Sequence, residues 1–272
     1  MEILLRAGFG IDRQVAAEPA DTAVLRSKET VLPSSDAPVG MLVQARMTSQ
    51  RLPGKVLIEI AGRPLLAYLL ERLGHCRRVS RVAVLTSRDA ADDPVACFCR
   101  QQGVECFRGD LQNVAGRFAD ALDHYGLDAF VRISGDSPLL DQTLVDQAVQ
   151  VFAAGNHDLV TNVFPRTYPT GQSVEVVSAA AFRRAFAAMS EPSDLEHVTP
   201  YFYENHQRFR IFNISVTPEL RDVRLSVDTK ADLDVFGRIV GRMNKPHWQY
   251  GLSEIVELYR QVATRAGSAA LT

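Results

Sequence analysis

From residue 41 onward, short apolar runs alternate with stretches that carry apolar side chains at helical spacing. This alternation constrains the fold more than any other feature of the 272-residue chain. Residues 41–45 (M-L-V-Q-A), 81–86 (R-V-A-V-L-T), 103–107 (G-V-E-C-F), 128–133 (D-A-F-V-R-I) and 158–161 (D-L-V-T) read as strands. Between them, residues 65–73, 93–102, 114–125 and 144–153 read as helices, the first with Pro64 at its opening turn, where the missing N–H costs nothing. Nearly continuous apolar strands need cover on both faces, and strands joined through helices run parallel. The expected architecture is therefore α/β, an open, mainly parallel twisted sheet with helices on both faces. The second half changes character. Residues 173–177, 209–214 and 224–228 read as strands, with 179–189 and 196–205 helical between them. Residues 209–214 alternate apolar and polar as an edge or antiparallel strand does, so a mixed-sheet addition is expected there.

Residues 1–40 lack this periodicity and close on V-L-P-S-S-D-A-P-V-G, a Pro/Ser/Gly run of linker type. They read as an N-terminal extension ahead of a single domain over 41–272. The opening M-E-I-L-L-R-A-G-F-G has an acid at position 2 and too short an apolar run for a secretory signal. No apolar stretch approaches the length of a membrane span, so a cytoplasmic location without membrane contact is expected. A formal net charge of −2 supplies no global attraction for nucleic acid, and any anion site has to be local. Cys76, Cys97, Cys99 and Cys106 do not have zinc-ligand spacing and read as reduced, partly buried thiols.

In open α/β sheets ligands bind outside the carboxyl ends of the strands, and three such ends carry unusual residues. The loop after the first strand, Q-A-R-M-T-S-Q-R-L-P-G-K (44–55), sets Arg46, Arg51 and Lys55 beside the small Ser49 and Gly54. Fixed cations with exposed loop N–H groups suit a polyphosphate, with arginine forks gripping oxygen pairs and lysine acting as a point charge. The loop lacks the Walker A pattern. The segment R-I-S-G-D-S-P (132–138) places Asp136 at a strand end behind Gly135, and R-L-S-V-D-T (224–229) places Asp228 likewise. Two such carboxylates plus phosphate oxygens are what Mg²⁺ takes. The bland alternative is that each aspartate caps a helix. Asp232-Leu233-Asp234 has the D-x-D form of nucleotide-sugar sites but falls inside an expected helix, where a surface role is favoured.

Taken in order, the motifs at 44–55, D-D-P-V-A (92–96), F-R-G-D (107–110), R-I-S-G-D-S-P-L (132–139), Y-P-T-G (168–171), E-H-V-T-P (196–200) and 224–229 resemble the spore coat polysaccharide biosynthesis protein F-like cytidylyltransferases, relatives of the CMP-sugar synthetases. The resemblance runs from about residue 41 to about residue 240. It implies a nucleotide-diphospho-sugar-transferase type of fold and Mg²⁺-dependent transfer of CMP from CTP to a sugar acid or related anionic acceptor, with release of pyrophosphate, by a homodimer. It also implies roles. Gln44, Ala45, Arg46, Ser49, Arg51, Lys55, Arg132 and Gly135 would hold the nucleotide, with Lys55, Arg46 and Asp136 carrying the chemistry. Asp136 and Asp228 would hold the metal, and Arg166, Tyr168, Gln172, Glu175, Glu196 and His197 would face the acceptor. Three positions depart from the family pattern: Thr170 replaces an acid, Leu195 replaces an arginine before Glu196, and residues 114–117 keep only the Val and Arg of V-L-x-R. The first two lie on the acceptor side. A glycosyltransferase using a nucleotide-sugar donor, or a non-catalytic nucleotide-binding homologue, are the rival readings.

Overall fold

The computed structural model describes residues 39–268, so the expected N-terminal extension lies, up to residue 38, outside the described residues. The chain opens with β1 (Val39–Gln44), followed by the cation-bearing loop and a small antiparallel hairpin of β2 (Glu59–Ile60) and β3 (Arg63–Pro64). Then α1 (Leu65–Leu73), β4 (Arg81–Ser87), α2 (Asp93–Gln102), β5 (Glu105–Gly109), α3 (Val114–Tyr125) and β6 (Ala129–Ser134) complete the parallel half. The second half holds α4 (Gln142–Ala154), β7 (Leu159–Thr161), β8 (Glu175–Ser178), α5 (Ala179–Phe186), α6 (Pro192–His197), α7 (Pro200–Glu204), β9 (Ile211–Asn213), α8 (Lys230–Val240) and α9 (Leu252–Ser268).

The main sheet has the order β5-β4-β1-β6-β8-β7-β9. β1 pairs in parallel with both β4 and β6, whereas β8 runs antiparallel to β6 and to β7. This is the expected mainly parallel sheet with a mixed addition. Alternation along each strand explains why both faces are covered. Met41 and Val43 of β1, Val84 of β4 and Val131 and Ile133 of β6 pack with α1, α2 and α4. Leu42, Ala83, Leu85 and Phe130 point the other way and pack with α3 and α5. Side chains of successive strand residues face opposite sides, so a strand that is apolar at every position needs both layers. A third cluster joins the hairpin, α8 and α9 around Phe236, Ile239 and Ile255.

The chain leaves β1 toward β4 and β5, then returns to place β6 on β1's other side. The carboxyl ends of β1 and β6 therefore flank a topological switch point, where such sheets open a crevice. The backbone N–H of Gly135 bonds Gln44 O at 2.8 Å across it. A Cβ on Gly135 would stand 2.9 Å from that carbonyl oxygen and 3.0 Å from Ala45 Cβ, so glycine permits the approach.

Three sequence expectations change. Residues 224–228 form no strand: the segment is extended, with one isolated bridge between Arg224 and Thr170, and it lies against the loop ending β6 through Val227 N–H to Asp136 O at 2.9 Å. It has no neighbouring strand to pair with along its length. The helix expected over 196–205 is two helices, α6 and α7, broken where Val198 takes a φ of +74° and Pro200 starts afresh, because proline cannot continue the preceding ladder. The strand expected over 209–214 is reduced to β9. Asp232 belongs to the capping box of α8 with Thr229, so the D-x-D segment is helix start rather than metal site. No helix among the described residues is long and apolar enough to cross a membrane.

Candidate active site

A cavity of about 650 Å³ opens at the switch point. Gln44 lines it from the end of β1, Ala45, Arg46, Ser49, Arg51 and Lys55 from the loop that follows, Gly135 and Asp136 from the loop after β6, and Asp228 from the extended segment before α8. Its centre is an ion cluster. The Lys55 ammonium, on a residue only 8% exposed, donates to Asp136 Oδ2 and to Asp228 Oδ1, each at 2.7 Å. Arg51 approaches the same Asp228 oxygen at 3.1 Å, and Arg224 bonds the other one. Asp136 and Asp228 are 92 residues apart in sequence, by the difference of their numbers, yet they converge on one cation.

The loop that brings the cations is locally specified. Gly54 closes it in the left-handed region, at a φ of +72°, with its N–H on Met47 O at 2.7 Å. Asp92, fully buried in the turn before α2, accepts the Met47 N–H at 2.7 Å and both donors of Ser87. Burial pushes the Asp92 carboxyl up, but these donors outweigh it and hold the group below its ordinary range, so it stays a charged tether. The D-D-P-V-A motif thus anchors the phosphate-type loop from beneath.

Glu196 and His197, at the end of α6, also line the cavity. Glu196 accepts from Arg46 at 2.9 Å, and this bond holds its carboxyl below the ordinary value. The other expected acceptor residues lie elsewhere. Gln172 is fully buried and spends its amide on Leu139 O (2.8 Å) and Asp141 N–H (2.9 Å). Glu175 accepts from Arg132 at 2.6 Å and from Tyr203 O–H. Arg166 donates to Ser173 Oγ at 3.0 Å, and Tyr168 is buried in the core. Arg132 is likewise not on the cavity wall: its Nε donates to Gln44 Oε1 at 3.1 Å and so holds a lining residue from behind. Sequence reading also missed lining residues: Gln50, Val56, Val114, Arg117 and Ser134. For Arg117 a signal existed, a basic side chain inside the apolar stripe of α3 between Val114 and Phe118.

Asp136 and Asp228 fit a divalent cation, because they already share one positive group and each offers a hard oxygen. Among the described residues no group of three or more His, Cys, Asp or Glu could hold a metal ion. The cysteines are unpaired thiols, Cys99 buried and the other three half-buried.

An open α/β sheet with a cation-rich loop and converging carboxylates at its switch point suits a nucleotidyltransferase. Comparison with known proteins makes the class specific. The cytidylyltransferase family profile matches residues 41–266, and the chain belongs to that family. It is 34% identical over 197 residues to the uncharacterized protein MJ1063 of Methanocaldococcus jannaschii, covering 72% of this chain and 80% of that one. It is 29% identical over 200 residues to the spore coat polysaccharide biosynthesis protein SpsF of Bacillus subtilis, covering 71% and 82% respectively. Among solved structures, a cytidylyltransferase from Leptospira borgpetersenii superposes with a TM-score of 0.80 at 29% identity, over 84% of this chain and 96% of that chain.

Proposed function

We propose that this protein transfers CMP from CTP to a sugar acid or related anionic acceptor and releases pyrophosphate. The observation that carries this reading is the convergence of Lys55 with Asp136 and Asp228 on the cavity wall that also holds Arg46 and Arg51. Such a wall presents fixed positive groups to a triphosphate and two hard oxygens to a divalent cation. The kinship with SpsF supports a product used in polysaccharide assembly.

In the reaction an acceptor oxygen forms a bond to the α-phosphorus while the bond from that phosphorus to the bridging oxygen breaks, and the electron pair departs with pyrophosphate. Arg46, Arg51 and Lys55 neutralise the leaving group, an electrostatic role that needs no covalent step. Mg²⁺ held by Asp136 and Asp228 would supply charge neutralisation at the phosphate oxygens. His197 and Glu196 line the cavity, Glu196 bonded to Arg46; on this reading they would face the acceptor, and His197 would take the proton of an acceptor hydroxyl. Arg132 and Glu175 act behind them by holding Gln44. The protein works as a homodimer in the cytoplasm.

A pyrophosphate-release screen of the four nucleoside triphosphates with Mg²⁺, against sugar acids, sugar phosphates and phosphonates, tests the reading. CTP is expected to be the productive donor. Asp136→Asn and Asp228→Asn are expected to lower turnover by about 10²- to 10³-fold or more while leaving the fold intact by circular dichroism. Full activity in either variant would refute the two-carboxylate site. CTP binding without turnover on any acceptor would favour a nucleotide-binding homologue.

A further inference from the structure

We propose that Arg117 reads the nucleobase, donating from its guanidinium to the two adjacent acceptors, O2 and N3, on the pairing edge of cytosine. The inference rests on the cytidylyl reading above and names the residue that makes the site prefer CTP.

Arg117 lies on α3 and is only 2% exposed, yet it lines the cavity together with Val114 one turn earlier. Its Nε is buried with no hydrogen-bond partner, and among the described residues its guanidinium forms no ion pair. Asp92 and Asp110 act on it only through space, and Arg46 opposes them. Both carboxylates are already engaged, Asp92 with Met47 and Ser87, and Asp110 with the N–H groups of Gln112 and Asn113. The stem of Arg117 is seated deliberately: a Cβ on Gly109 would stand 2.7 Å from its Cγ. A buried donor without an acceptor is costly and rare in native proteins, and at a cavity wall the missing acceptor is one that a ligand brings.

The surroundings decide which acceptor. Phosphate groups already have Arg46, Arg51 and Lys55 from the loop after β1. Val114, one turn before Arg117 on α3, and Ala45, just after β1, add apolar surface to the same cavity, which suits the face of a ring. A guanidinium fork matches two acceptors side by side. Cytosine offers O2 and N3 in that arrangement. Uracil, the other pyrimidine, presents a ring N–H donor there, and adenine flanks its N1 with a C–H and an amino donor. A donor pair fixed in a dry slot rejects a base that leaves it unmatched.

Calorimetric titration with CMP, UMP and pyrophosphate tests the assignment in wild type, Arg117→Met, Arg117→Lys and Gly109→Ala. Wild type is expected to bind CMP more tightly than UMP. Arg117→Met is expected to weaken CMP by about 10- to 100-fold, to close the gap to UMP and to leave pyrophosphate unchanged. Arg117→Lys keeps the charge without the fork and should not restore the gap. Gly109→Ala displaces the stem while keeping the arginine, and should reproduce the selective loss. It decides the matter if Arg117→Met fails to fold by circular dichroism. An unchanged CMP-to-UMP gap in Arg117→Met, or in Gly109→Ala where that variant decides, overturns the proposal, and so does equal loss of CMP and pyrophosphate, which marks a phosphate contact. A wild type that shows no preference for CMP instead sinks the cytidylyl reading itself.

Discussion

Lys55 is the residue on which the site turns. Its ammonium sits where Asp136 and Asp228 converge, which is the position a divalent cation would take. On the proposed two-carboxylate site, lysine and metal would compete for the same oxygens until a triphosphate gave the ammonium another partner. Binding of nucleotide and of metal would then be mutually reinforcing, because each would favour the arrangement the other needs. Mn²⁺ titration followed by electron paramagnetic resonance should show tighter metal binding with CTP than without it. Lys55→Met is expected to bind Mn²⁺ about 10-fold more tightly than wild type in the absence of nucleotide, while losing turnover. Equal Mn²⁺ affinity in the two proteins, with and without CTP, would show that no competition exists.

At the scale of elements, the edge of the sheet is clasped by one carboxylate. Asp158, just before β7, accepts from the Arg210 backbone N–H at 2.9 Å and from its Nε at 3.1 Å, and also from Arg184 on α5 at 3.2 Å. These bonds fasten β9, which is three residues long, to the rest of the sheet. Burial pushes the Asp158 carboxyl up, but the Arg210 and Arg184 donors override it and hold the group at about 2. A depressed folded value means that the stabilisation is complete above the ordinary carboxyl value of about 3.9 and is lost as pH falls from there toward 2. Because Arg210 and Arg184 are largely solvated, the contribution is discounted to about 1–2 kcal/mol. Asp158→Asn should be less stable than wild type by that amount at pH 7 in urea unfolding, with the difference shrinking below pH ~4. A difference that persists unchanged down to pH ~2 would count against the electrostatic clasp.

For the molecule as a whole, Arg72 joins parts far apart in sequence. Fully buried on α1, it donates to the carbonyls of Leu140 at 2.7 Å and Tyr250 at 2.8 Å, and to that of His247. Burial lowers its pKa to about 10, so it remains charged at neutral pH while capping three backbone acceptors. Replacing it with methionine leaves those carbonyls unmet, at a cost of about 3 kcal/mol or more. Calorimetry on Arg72→Met should show a Tm lower by roughly 6–12 °C, and an unchanged Tm would mean that the carbonyls find other donors.

The sequence by itself determined the layered sheet, since strands apolar at every position have no stable arrangement with one face wet, as Met41, Leu42 and Val43 show by dividing between two cores. It also determined the cation loop, whose closing turn at Gly54 is local, and the capping of α8 by Thr229 and Asp232. Tertiary structure alone decided the rest. Asp228 reaches Asp136 on an extended segment held by backbone bonds at Thr170 and at Asp136, rather than from the strand end its sequence suggested. Gln172, Glu175, Arg166 and Tyr168 share the polar look of site residues, but they serve the interior, because a side chain's partners depend on which elements meet around it. Arg117 shows the converse: periodicity marks it as a charge out of place on an apolar stripe, and only the cavity behind that stripe gives the charge a use.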